Sequence, residues 1–284
     1  MQTHGPKLSI WTLMACIVMM LTACATSPYS TDNKARSDAL LDQQLSKLTA
    51  ARSDAKPRLF VLAAALHDQS KAFRGDVEAT AIKLLQHAPT AHVIKLANPA
   101  MGQAHDLPYA TRENLARVIS VISASMQEQD RALIMLTTHG NAGILAINAG
   151  SQAYSPLSSK ELQQMLQPLE KYDHGLILSA CYSGSFIEPL KSANRWMLTA
   201  AAANRSSFGC QFHGTQTYFI DALLKQTIDS KTYLRNWYLQ TKLSVTEREK
   251  TEKLVPSSDP QIFIPSKYTG PVNLSTLLTF PLLP

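Results

Sequence analysis

From residue 58 onward, short apolar runs alternate with stretches of helical spacing, and this alternation constrains the fold more than any other feature of the chain. The runs are residues 58–65 (RLFVLAAA), 92–96 (HVIKL), 132–137 (ALIMLT), 175–179 (GLILS) and 196–201 (WMLTAA). Each is of strand length and apolar throughout, as a strand covered on both faces must be. Between them, residues 70–87 put Val77, Ala81, Leu84 and Leu85 at helical spacing, and residues 111–126 do the same with Leu115, Val118, Ile119 and Ile122. Residues 159–169, 215–226 and 232–250 also read as helices, and residues 261–264 (QIFI) as an edge strand. The pattern predicts an α/β fold, a mostly parallel sheet with helices on both faces. Ligands of such sheets bind beyond the carboxyl ends of the strands, so the chemistry is expected there. A content of 45% hydrophobic and 17% charged residues in 284 supports one large core and excludes a disordered chain. The net charge of +6 is not gathered into any run, so the basic patch that nucleic-acid binding requires is absent from the sequence.

The amino terminus has a different character. Residues 1–23 read as an export signal: Lys7, then the uncharged stretch LSIWTLMACIVMMLTA, shorter than the ~20 residues that span a membrane. The stretch runs into Leu21-Thr22-Ala23-Cys24, which resembles the lipobox of bacterial lipoproteins. That resemblance implies diacylglyceryl transfer to the Cys24 thiol and cleavage before it. It also implies anchoring in a bacterial envelope, with Ala25 directing the protein to the outer membrane on its periplasmic side. Residues 24–56 turn polar and read as a flexible tether with one short amphipathic helix at 37–51, reaching roughly 30 Å as a coil. Residues 57–284 are then the folded domain.

Two strand ends carry reactive residues. The third apolar run leads into Thr137-Thr138-His139-Gly140-Asn141, the fourth into Ser179-Ala180-Cys181-Tyr182-Ser183-Gly184-Ser185. Neighbouring parallel strands would bring the His139 imidazole and the Cys181 thiol to one edge. A cysteine nucleophile works as a thiolate, which a nearby imidazole or a helix amino terminus favours, and a helix is expected to start near Ser183. Gly140 permits close backbone approach, and the N–H groups of Gly140 and Cys181 are suited to hold a developing oxyanion.

An apolar strand ending in His-Gly, then one ending in Ala-Cys, resembles the caspase-like clan of cysteine peptidases. The finer resemblance is to the legumain family, with its asparaginyl endopeptidases and GPI-anchor transamidase, through Thr138-His139-Gly140 and Ala180-Cys181-Tyr182-Ser183-Gly184-Ser185. Thr111–Leu115 (TRENL), Ser206–Cys210 (SSFGC), Tyr218-Phe219 and Asp259-Pro260-Gln261 resemble segments of the family's bacterial membrane-associated branch. The resemblance implies a caspase/legumain-like fold, a peptide or protein substrate and no cofactor or metal. It makes His139 the catalytic histidine and Cys181 the nucleophile, and assigns Arg74, Ser179, Ser206 and Ser207 to the pocket for the residue before the scissile bond. Two positions depart from the family: Ala72 stands where legumains carry a histidine-orienting asparagine, and Ser179 where they carry an acid of the asparagine-reading pocket. Asparagine specificity is therefore not implied. A module that keeps the fold for binding, without catalysis, is the competing class.

The remaining chemistry-bearing residues sort quickly. No G-x-S-x-G motif surrounds Ser183, which argues against a serine hydrolase. Cys210 reads as a packed thiol beside the pocket. His67, His87, His92, His105, His174 and His213 lack metal-ligand spacing and read as ordinary core or surface histidines.

Overall fold

All seven residues of Leu59–Ala65 are buried, which requires cover on both faces, and the computed structural model supplies it by placing them inside a six-stranded sheet. The structure describes residues 2, 31–48, 56–149, 152–153, 156–211, 213–228, 231–268 and 272–278. Apart from residue 2, the expected export signal, with Cys16, lies outside them, as does Cys24 after it.

In chain order the elements begin with α1 (Thr31–Ser46), β1 (Leu59–Ala65), α2 (Lys71–His87), β2 (His92–Ala97), α3 (Arg112–Ser125) and β3 (Arg131–Thr137). Five two-residue strands come next: β4 (Gly140–Asn141), β5 (Ile144–Leu145), β6 (Asn148–Ala149), β7 (Gln152–Ala153) and β8 (Leu157–Ser158). After them lie α4 (Ser159–Leu166), β9 (His174–Ser179), α5 (Ile187–Leu190), β10 (Arg195–Thr199), α6 (Tyr218–Lys225), α7 (Leu234–Thr251), β11 (Gln261–Phe263) and α8 (Leu274–Leu277). The main sheet has the order β11-β10-β9-β3-β1-β2, parallel throughout except for β11, which runs antiparallel on β10. The five predicted central strands and the edge strand therefore all form, as do the helices between them.

The alternation of side chains along β1 divides the core. Phe60, Leu62 and Ala64 join one layer with α1, α3 and α4, through residues such as Leu41, Leu115, Ile119 and Leu162. Leu59, Val61, Ala63 and Ala65 join the other with α2, α6 and α7, through Phe73, Val77, Phe219 and Trp237. Helix starts are fixed by side chains that accept otherwise orphaned N–H groups: Ser70 for α2, Thr111 for α3, the Ser158/Glu161 capping box for α4 and Thr217 for α6.

The segment expected to be a flexible tether is corrected over much of its length. Residues 31–46 form α1, and Leu41, Leu45 and Leu48 are buried in the core. Gln44 bonds the backbone of edge strand β2, accepting from Lys95 N–H at 2.8 Å and donating to Lys95 C=O at 3.1 Å, while Ser37 Oγ accepts from Tyr109 N–H at 2.9 Å. The polar composition misled because α1 needs only one narrow apolar stripe, and its polar residues cover an open sheet edge. The folded body thus includes residues 31–48, ahead of the expected boundary at 57.

Candidate active site

Strands β3 and β9 pair in register, Thr137 opposite Ser179, and Thr138 N–H donates to Ser179 C=O at 3.1 Å. His139 and Cys181 therefore leave the sheet at the same height, each two residues past the same rung. The strand order reverses direction between β1 and β3, the switch point beside which ligands of such sheets generally bind, and His139 follows the end of β3 there. A Cβ at Gly140 would sit 2.6 Å from the Cys181 carbonyl oxygen and 3.1 Å from Ala180 Cβ, so only glycine lets the two chains approach. Ser185 ties the loops together, its Oγ accepting from Gly143 N–H at 2.8 Å and donating to Tyr182 C=O at 2.6 Å.

Directly after Cys181, Tyr182 turns the chain in the left-handed region (φ 58°), an uncommon conformation for a residue with a Cβ. The turn is held by Tyr182 N–H donating to Arg205 C=O at 2.7 Å and by Ala201 N–H donating to Ser183 Oγ at 3.1 Å. The chain then enters a four-residue 3-10 turn, Ser183–Phe186, and the four-residue α5, less helix behind the thiol than the sequence predicts. The donor to sulfur comes from elsewhere: Ser207 N–H points at Cys181 Sγ at 3.3 Å, with Ser207 Oγ at 3.7 Å and its carbonyl oxygen at 3.6 Å. An amide N–H so placed is a donor that a thiolate accepts.

The His139 ring stands edge-to-face with two others, His67 at 4.9 Å between centroids and 84°, and Phe73 at 5.0 Å and 90°. Burial holds the His139 pKa below the ordinary imidazole value, favouring the neutral ring that can take up a proton. Its Nε2 is buried and has no hydrogen-bond partner among the described residues. His67 is pushed down to about 4, by burial first and the neighbouring His139 second. Its Nδ1 accepts from Gln69 N–H at 3.1 Å, which places the proton of the neutral ring on Nε2.

The expected pocket residues separate. Ser207 lies against the sulfur, and Ser206 beside it is exposed. Ser179 is buried and bonded to Thr217 Oγ1 at 2.9 Å. Arg74 is engaged by the protein itself, donating to Ala104 C=O at 2.6 Å and to Asp106 at 2.7 Å, with Glu78 at 3.7 Å. Ala72 is fully buried, and Cys210 is a half-buried free thiol whose pKa is raised by burial and by its proximity to Cys181. His67, read from sequence as an ordinary histidine, belongs to the site; its position directly after the carboxyl end of a central strand was the signal for it. Among the described residues, no group of three or more His, Cys, Asp or Glu could hold a metal ion.

The model of the peptidase C13 family matches residues 112–260. No curated protein matches the chain.

Proposed function

The chain belongs to the peptidase C13 family, the legumain family of cysteine peptidases, and from that premise we propose that Cys181 and His139 form its catalytic dyad on an envelope-anchored lipoprotein. The observation that supports this reading is the register of β3 on β9, which brings residues 139 and 181 to neighbouring strand ends. His139 takes the proton from Cys181 Sγ, and the sulfur forms a bond to the substrate carbonyl carbon. The N–H groups of Gly140 and Cys181 hold the oxyanion. The tetrahedral intermediate collapses as His139 returns the proton to the leaving amine nitrogen, which breaks the C–N bond and leaves a thioester. Water attacking that thioester yields a carboxylic acid, as in a peptidase; an amine yields a new amide, as in a transamidase. Mass analysis of products formed with and without an added amine distinguishes the two.

The test is labelling of the full chain, held in detergent, by a panel of peptidyl acyloxymethyl ketones. Modification at Cys181 that is lost in Cys181→Ala and sharply reduced in His139→Ala is expected. Wild type and Cys181→Ala indistinguishable across the panel would overturn the proposal. The buried Ala72, where legumains carry the orienting asparagine, favours a second reading as a non-catalytic binding module. In that case Cys181→Ala would leave the biological phenotype intact.

Lipid on Cys24 is the proposed anchor, and the lipobox-like residues before it support that reading. Because α1 starts at Thr31, the intervening residues 25–30 reach at most ~25 Å, which keeps the body close to the membrane surface. Incorporation of labelled palmitate that disappears in Cys24→Ala is the expected result; equal incorporation in both would remove the anchor.

A further inference from the structure

Beneath the two strand ends lies a carboxyl group that the proposed mechanism does not use. Asp76, on the inner face of α2, is 0% exposed. Its Oδ2 accepts from the Thr137 hydroxyl at 2.6 Å and the Thr217 hydroxyl at 2.9 Å, and its Oδ1 accepts from Thr217 N–H at 2.9 Å. Thr217 Oγ1 accepts from Ile220 N–H as the cap of α6, and because its one proton goes to Asp76, the Ser179 hydroxyl, 2.9 Å away, donates to it. A directed chain runs from Ser179 through Thr217 to Asp76, met from the other side by Thr137. Thr137 precedes His139 by two residues, and Ser179 precedes Cys181 by two.

We propose that Asp76 is a positioning residue for the Cys181/His139 pair, its carboxylate clamping together the end of β3, the end of β9 and the start of α6 so that imidazole and thiol keep their alignment. The inference rests on the dyad reading above. A carboxylate suits this place because every polar group facing it is a donor, and a buried acceptor with several donors fixes geometry more tightly than apolar packing does. Burial opposes the charge and raises the Asp76 pKa to about 7, with the Thr137 and Thr217 bonds pulling it back down and Asp221 adding to the rise. The titratable groups that feel its charge are Cys210 from the preceding loop and Asp221 from α6, while His139 and Cys181 lie two residues beyond the strand ends that it clamps. As pH falls through about 7 the carboxyl gains a proton, one of its oxygens becomes a donor facing donors, and the clamp loosens.

Asp76→Asn keeps the shape: the amide oxygen accepts Thr217 N–H while the NH2 group meets the two threonine hydroxyls, which must turn and reverse the chain. The experiment compares acyloxymethyl ketone labelling of Cys181 in the full-length wild type and Asp76→Asn between pH 5 and 9, with folding monitored by circular dichroism. The expected result is a folded variant labelled about tenfold more slowly at pH 8, without the fall near pH 7 expected of wild type. A folded variant whose rates and pH profile superimpose on wild type would reduce Asp76 to a packing role and overturn the proposal. If Asp76→Asn does not fold, Thr137→Val is read in its place, with about a fivefold loss and a displaced acid limb expected, and an unchanged profile overturning. If no probe labels the wild type, it is the dyad reading that fails. The pH profile of iodoacetamide alkylation at Cys181 then decides for Asp76, a shift in Asp76→Asn supporting the clamp and coincident profiles removing it.

Discussion

His139 and His174 sit at opposite ends of one sheet, and burial lowers the pKa of both, yet their surroundings differ in kind. His174, at the amino end of β9, is 1% exposed with both ring nitrogens engaged: Nδ1–H donates to Tyr172 C=O at 2.9 Å, and Nε2 accepts from Arg195 Nε–H at 2.8 Å. Arg195 donates further to Leu190 C=O at 2.5 Å and to Glu170, which also accepts from Ser192. That cluster is closed, its polar groups satisfied by the protein. At the carboxyl end, His139 is held by ring edges alone and keeps a buried Nε2 with no partner among the described residues. Buried polar groups are normally paired, and an unpaired one on a positioned ring suits the proton exchange proposed for His139.

Removing each histidine's essential contact should separate the two ends. His139→Ala should cost about 10³-fold in Cys181 labelling, within the range of general acid–base catalysis, with little change in the midpoint of thermal unfolding. Arg195→Met should do the reverse, lowering stability by about 3 kcal/mol in denaturant titrations because Glu170 and His174 lose their donor, while labelling per folded molecule stays near wild type. Equal stability losses from both substitutions would break the comparison.

The pH dependence of stability sharpens it. His174 is pushed down to about 3, by burial first and the Arg195 charge second, whereas in the unfolded chain it titrates near the ordinary imidazole value of 6.5. The unfolded state therefore takes up a proton first as pH falls, so this contribution is complete above about 6.5 and is lost progressively toward about 3. Between pH 6.5 and 5 the loss from one such histidine amounts to roughly 2 kcal/mol. His67, pushed to about 4, acts in the same sense. His174→Asn should flatten the slope of unfolding free energy against pH by up to one proton in that window; an unchanged slope would mean that His174 is protonated in the folded state.

A smaller effect separates His67 from the rest of the cage. Its ring restrains the His139 plane where Ala72 offers no polar group, so His67→Ala should slow labelling about tenfold, with thermal stability close to wild type. A slowdown below twofold would leave Phe73 as the sufficient restraint.

The legible part of the molecule was the part governed by local pattern. Continuous apolar runs marked the strands, and the residues ending two of them, His139 and Cys181, marked the proposed reactive pair. The features that escaped depend on contacts distant in sequence. Gln44 reading the backbone of Lys95 is invisible in a polar segment, and so is the Ser207 N–H that reaches Cys181 from a loop 26 residues on. His67 and Asp76 were overlooked for the same reason: neither sits in a motif, and each acquires its role only when β1, α2, β3 and α6 are packed together.

Arg74 provides the finest test, since family resemblance and geometry point in different directions. The resemblance makes it a ligand for the substrate residue before the scissile bond. In the structure its guanidinium is already shared among Ala104 C=O, Asp106 and Glu78, and its side chain is only 15% exposed. Asp106 is correspondingly held below the ordinary carboxylate range by the Arg74 hydrogen bond and charge, against a burial effect in the opposite direction. Ion pairs near the surface contribute only about 0–1 kcal/mol, so Arg74→Gln should alter stability by no more than that. Labelling of Cys181 should change by less than about twofold across probes that differ in their terminal residue, because the group removed is bonded to the protein rather than offered to the substrate. A loss of tenfold or more, confined to some probes, would show that substrate draws Arg74 away from Asp106 and would restore it to the pocket.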